Sequence, residues 1–206
     1  MAVDGQLLRS VVGRFLGRGY TETGDRVALD SLGLDHPDRV GYSASPWWVL
    51  RWLLARSEVR PSDVFVEFGC GKGRIVLEAA RRYPFRRVVG VELSPELSDV
   101  ARGLIARERN LRCRAVEIET ADATEFAVPD DMTYAYLYNP FNGPTFVKVC
   151  ANIIASLDRA PRSIRVIYVN PVEHPTLMAT GRFHLVRRAE TARVFRPTRA
   201  AIYEAA

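Results

Sequence analysis

The stretch VFVEFGCGKGRIVLEAA, residues 64–80, passes from an apolar run into an amphipathic one and sets Glu67 just ahead of three alternating glycines, Gly69, Gly71 and Gly73. Glycines at the end of a strand clear side chains from the turn, so that a ligand can approach the backbone. The spacing is G-x-G-x-G rather than the G-x-G-x-x-G that seats a pyrophosphate on a helix N-terminus, and Glu67 would repel a phosphate while suiting an ammonium group. Lys72 makes no P-loop, because the preceding glycine spacing and the following Ser/Thr are absent. Two further acids close later apolar runs. Glu92 ends VVGVE, about twenty residues on, where a carboxylate accepts both hydroxyl protons of a ribose. Asp122, in ETADATEF, is placed to accept from the exocyclic amine of adenine, with the N–H of Ala123 available to a ring nitrogen. An acid at a strand end also fits a helix cap or a solvated turn; the combination is the specific signal, one partner each for ammonium, ribose and adenine.

These groups need a scaffold that brings strand ends together. Apolar or β-branched runs occur at 63–68, 87–92, 114–120, 133–138 and 164–169, with helical patterns at 73–83, 95–109 and 144–157, each behind a turn or breaker at Gly73, Ser94-Pro95 or Gly143-Pro144. Strands alternating with helices predict right-handed crossovers. FHLVRRAE and ARVFRPTRAAIYEA read as two strands joined by a short turn. The expected fold is α/β: a doubly wound, mostly parallel seven-stranded sheet with an antiparallel C-terminal hairpin. Residues 1–45 are read as an N-terminal helical cap, and 46–206 as the domain that binds the ligand at the carboxyl ends of its strands.

Bulk properties narrow the function. The chain has 206 residues, 48% apolar and 26% charged, ordinary for one soluble globular domain. No run of eighteen apolar residues occurs, and Asp4 and Arg9 interrupt the segment where a secretory signal would be apolar, so a cytoplasmic location and no membrane span are expected. Residues 5–18 carry one apolar helical stripe with Arg9, Arg14 and Arg18 off it, which fits a docking helix better than an organellar presequence. Cys70, Cys113 and Cys150 are widely spaced and odd in number, and His36, His174 and His184 show no ligand spacing; neither disulfide nor metal is expected. The net charge of +5 is almost all arginine, scattered among acids and hydrophobes, the pattern of a solvated surface rather than a nucleic-acid footprint.

With VEFGCGKG, GVELSP, ADATEF and LYNPF in hand, residues 46–205 resemble class I S-adenosylmethionine-dependent methyltransferases, LYNPF corresponding to the fourth motif after strand four. Within that group, YSASPWWVLRWLLARSEVRPSDVFVEFGCGKGRIVLEAA is similar to small lysine methyltransferases of the mitochondrial ATP synthase subunit c type and their prokaryotic relatives, and distantly to the non-SET histone-lysine enzymes. The resemblance implies S-adenosyl-L-methionine as cofactor, held by Tyr42, Glu67, Gly69, Cys70, Gly71, Gly73, Glu92, Leu93, Asp122 and Ala123. Asn139-Pro140-Phe141 is closer to amine methyltransferases acting on nucleobases or glutamine, whose usual form is Asn-Pro-Pro-aromatic; the second proline is absent here.

A sulfonium already activates its methyl group, so positioning the nucleophile is the main task. The expected catalytic residues are Asn139, accepting an N–H from an acceptor amine, and Tyr138 and Phe141, apolar walls that attract the cation. YAYLYNPF also reads as a buried strand ending in a proline turn. Ser45 and Pro46 predict a helix start, with Trp47, Trp48 and Trp52 packing that helix, while Tyr42 and Ser43 would cover the site as a lid. Asn170-Pro171 reads as a strand-ending turn, and His174 is the candidate if a general base exists. The expected activity is methyl transfer to an amine, a protein lysine or a small molecule. The alternatives are a small-molecule O- or N-methyltransferase and a cofactor-binding regulatory module without turnover.

Overall fold

The computed structural model describes residues 37–41, 45–191 and 198–206. Most of the expected cap, with Tyr42, Ser43 and His36, lies outside the described residues. The strands are β1 (Val64–Phe68), β2 (Arg87–Glu92), β3 (Ala115–Thr120), β4 (Tyr134–Tyr138), β5 (Ile164–Val169), β6 (His184–Glu190) and β7 (Arg199–Ala205), and the helices α1 (Val49–Leu53), α2 (Arg74–Arg82), α3 (Pro95–Ala106), α4 (Gly143–Arg159) and α5 (His174–Ala179). One sheet carries all seven strands in the order β3-β2-β1-β4-β5-β7-β6. The first five pair in parallel, while β7 runs antiparallel to both β5 and β6. The chain therefore winds outward from β1 to β3, then returns to β4 on the other side of β1. That reversal opens a crevice at the carboxyl ends of β1 and β4.

Because successive strand residues face opposite ways, β1 feeds two cores. Val64, Val66 and Phe68 join Leu137, Val166 and, from α4, Phe146, Val149 and Ile153. Phe65 packs on the other side with Tyr136, Ile167 and the α1 and α2 residues Leu50, Leu53, Ile75 and Val76. All five residues of β1 are buried, as expected of a strand covered on both faces. The alternation puts Glu67 on the face of Phe65, beneath the start of α2.

One local expectation needs correction. Ser45 does not cap α1: Trp48 is its N-cap, and Pro46 instead accepts from the Val49 N–H at 3.1 Å in a preceding turn. The helix is short, since Leu54 turns extended. Arg51 and buried Glu78 pin it to α2 through two hydrogen bonds, and Arg51 also lies 4.6 Å over the Trp47 ring. Trp48 and Trp52 pack against the core in an edge-to-face pair 5.9 Å apart, the packing role expected of them. The turn expected at Asn170-Pro171 is present, and α5, which follows it, was not foreseen. HPTLMA is only six residues long, too short to show a helical period.

Candidate active site

Backbone bonds fasten the β1–α2 turn to β2: the N–H groups of Gly69 and Cys70 both donate to the Val91 carbonyl, at 2.9 and 3.0 Å. Gly69, Gly71 and Gly73 all have positive φ, at 74°, 54° and 76°, a conformation that glycine adopts without steric cost. Two of them also make room for a packing neighbour. A Cβ on Gly69 would stand 2.6 Å from Pro140 Cβ, and one on Gly73 would stand 2.8 Å from Ala101 Cβ. Gly69 thus admits the YNPF turn against the end of β1, and Gly73 admits α3 against the start of α2.

A cavity of about 390 Å³ opens here, within the range of small-molecule pockets, ~300–1,000 Å³. Glu67, Gly69, Cys70, Gly71, Glu92 and Leu93 line one end, with Asp122 and Ala123 beside them; Tyr138, Asn139 and Phe141 line the other. Of the expected site residues in the described chain, Gly73 alone is not among its walls.

Each acid is held by its backbone surroundings. Glu67, 3% exposed, accepts from the Val76 N–H at 3.1 Å. Burial pushes its pKa well above the ordinary 4.5, with the Val76 bond partly offsetting and the Glu92 charge adding to the rise. Glu92 accepts from Gly71 N–H at 2.8 Å with one oxygen and from Ser94 N–H at 3.0 Å with the other. Burial raises its pKa too, against those bonds. Ser94 caps α3 by accepting from Leu97 N–H at 3.2 Å, ahead of Pro95 in the first turn, which fixes the turn behind Glu92. Asp122 takes the N–H and hydroxyl of Thr124 on one oxygen, both at 2.8 Å, and the Arg39 guanidinium on the other at 3.2 Å. Burial opposes its ionisation, but those donors and the Arg39 charge outweigh it, and its pKa is lowered.

Arg39 was not foreseen. It belongs to a short strap in which Val40 N–H donates to Pro140 O at 3.1 Å and Asn142 N–H to Asp38 O at 2.7 Å, so the strap pairs antiparallel with the YNPF turn. Arg74 was also missed; it opens α2, lines the cavity and donates to Ser45 O at 3.2 Å. Arg74 had a visible signal, as the first residue after the glycine run. Arg39 had none, because its partner lies 83 residues away.

At the other end, Asn139 and Asn170 close β4 and β5 with φ of 43° and 50°, a region Asn tolerates better than most residues. Asn139 Oδ1 accepts from the hydroxyl of buried Tyr168 at 3.5 Å, a weak contact. Phe141 is only 6% exposed and packs into the core at a tilt to Phe146, so it offers the cavity little surface. His174 does not line this cavity. Its Nε2 accepts from Arg188 at 2.9 Å, which puts the ring proton on Nδ1, facing the Tyr203 hydroxyl at 2.8 Å. No group of three or more potential metal ligands occurs among the described residues.

Residues 65–161 match a family model described as a methyltransferase domain. Over that span, just under half of its length, the chain is similar to methyltransferase domains. It is 28% identical over 97 residues to a protein-lysine N-methyltransferase of Saccharolobus islandicus, covering 44% of this chain and 60% of that one. It is 30% identical over 95 residues to ribosomal RNA small subunit methyltransferase A of Thermobifida fusca, covering 45% and 32%. The match therefore spans about three-fifths and one-third of these relatives. A crystal structure of an RNA methyltransferase from Salinibacter ruber with S-adenosyl-L-homocysteine shares the fold, with a TM-score of 0.51 at 23% identity over 78% of this chain and 91% of that one. The cavity lining fits S-adenosylmethionine on its own chemistry: Glu67 and the Arg74 guanidinium would offer an anion and a cation to an amino-acid group, Glu92 would accept from ribose hydroxyls, and Asp122 with Ala123 would meet an adenine edge.

Proposed function

We propose that the protein transfers the methyl group of S-adenosylmethionine to an amine, and that the amine is a protein lysine. The observation that carries this reading is the junction of Gly69 with Pro140, which makes one cavity of the cofactor-binding turns and the YNPF turn. The cofactor supplies an activated methyl on a sulfonium. Glu67, Arg74, Glu92 and Asp122 hold and orient it. Asn139 accepts an N–H of the incoming amine through Oδ1 and directs the lone pair. Tyr138 and Phe141 exclude water, which favours the neutral amine needed for attack. No histidine lines the cavity among the described residues, so the amine sheds its proton to solvent before it is seated. The lysine assignment draws on the Saccharolobus relative.

An RNA acceptor is the second reading, favoured by the Thermobifida relative. Against it, many surface arginines are paired with acids, among them Arg159 with Asp130, Arg165 with Glu58 and Glu204, and Arg182 with Asp158, whereas a phosphate backbone needs a row of available cations. No helix among the described residues is long and apolar enough to cross a membrane, and a cytoplasmic site of action belongs to the same proposal. Labelled methyl transfer from the cofactor into cell extract, fractionated into protein, nucleic acid and small molecules, tests it. Methyl-lysine in the protein fraction is expected. Label confined to nucleic acid or small molecules would overturn the acceptor, and no transfer at all would favour a module that binds without turnover.

A further inference from the structure

A second cavity, of about 430 Å³, lies beside the first and shares Arg199 with it. Its walls include His174, Arg188, Glu190 and Tyr203, on α5, β6 and β7. Arg188 is exposed but oriented: it donates to His174 Nε2, and His174 is fixed in turn by the hydroxyl of Tyr203, whose side chain is fully buried. Arg199 pairs with Glu190 at 3.3 Å, with both side chains more than half exposed, a pairing of little strength that an incoming acid can exchange. Two guanidiniums against one carboxylate leave the described walls with an excess positive charge.

We propose that this cavity is a specificity site for a carboxylate of the methyl acceptor, an Asp or Glu side chain standing near the target lysine. The proposal rests on the lysine reading above. Arg199 stands between the two cavities, so a polypeptide whose lysine enters at Asn139 has its neighbours within reach of Arg199 and Arg188. A guanidinium recognises a planar carboxylate through paired N–H donors. A phosphodiester chain fits less well, because the cavity offers two cations rather than a row, with Glu190 on the same rim. The His174 to Tyr203 relay then orients the arginine and is not part of a base.

The test uses the full chain, S-adenosylmethionine and a set of single-lysine peptides carrying Asp, Asn or Arg at each position from three before to three after the target. The wild type is expected to favour an acidic neighbour at one or two positions by about three- to tenfold in kcat/KM. Arg188→Gln should erase most of that preference through KM, Arg188→Lys should restore part of it, and Arg188→Glu should shift it toward the Arg-bearing peptides. Cofactor affinity measured on each variant reports that it is folded. Methylated peptides with no acidic preference, or an equal loss on acidic and neutral peptides in Arg188→Gln, would overturn the carboxylate site alone. Failure of the wild type to methylate any peptide, with label entering RNA instead, would overturn the lysine reading and this site with it.

Discussion

At the end of the cavity proposed to hold the cofactor, the polar groups are placed before any ligand arrives: Glu67 is held by Val76, Glu92 by Gly71 and Ser94, and Asp122 by Thr124 and Arg39. At the end proposed to take the acceptor, the one side-chain contact of Asn139 among the described residues is the 3.5 Å bond from Tyr168, and Asn139 stands on left-handed backbone. The first arrangement suits one invariant ligand whose recognition rests on backbone-fixed acids. The second leaves the acceptor to be chosen by side chains on β4, β5 and the C-terminal hairpin. On this account, substitutions at the first end change binding of the cofactor, and substitutions at the second change turnover.

The largest separation is expected at Asn139. Asn139→Ala should keep cofactor affinity and lower kcat by about 10- to 1,000-fold, through loss of one oriented hydrogen bond and of positioning. His174→Ala, assayed on an acceptor without an acidic neighbour, should change kcat by less than about threefold, far below the ~10²–10⁴ of a lost general base. Steady-state kinetics beside calorimetry would show it. A fully active Asn139→Ala enzyme with a dead, cofactor-binding His174→Ala enzyme would exchange their roles.

Next in size is Glu92. Glu92→Ala removes the proposed ribose acceptor together with the ties to Gly71 and Ser94, and should weaken cofactor binding by about 2–3 kcal/mol, while circular dichroism stays native. Unchanged affinity in a folded variant would take Glu92 out of the site.

The smallest effect is on stability and its pH dependence. Glu67 and Glu92 both have raised pKa values when folded, so the folded state binds more protons than the unfolded one between the ordinary 4.5 and the raised values. Stability of the ligand-free protein should fall as pH rises through that window. Asp122, lowered from 3.8, acts oppositely, and its contribution is lost only as pH falls through the lowered value. Glu67→Gln should flatten the fall and raise Tm, by ~2–4 °C for each kcal/mol regained. Thermal melts across pH check this, and an unaltered slope in the variant would show that Glu67 ionisation is not its source.

What could be read from the sequence follows the same division. The strands, the crossover order and the three acids are local signals, carried by runs of five to seven residues and by a carboxylate at or near the end of β1, β2 and β3. Gly69 and Gly73 were found by spacing, but their main contacts, Pro140 and Ala101, are partners that only folding brings near. Arg39 reaches Asp122, and His174 reaches Tyr203 and Arg188, across separations that no periodicity encodes. Ser45 shows the converse failure: a good capping residue before a proline, displaced because Trp48 takes the cap position.

The account depends most on the cavity being an S-adenosylmethionine site. Isothermal titration of the purified chain with S-adenosylmethionine, S-adenosylhomocysteine and NAD tests that directly. Tight binding of the first two, with NAD bound far more weakly because Glu67 opposes a pyrophosphate, is the predicted result. NAD affinity comparable to that for S-adenosylmethionine would contradict it.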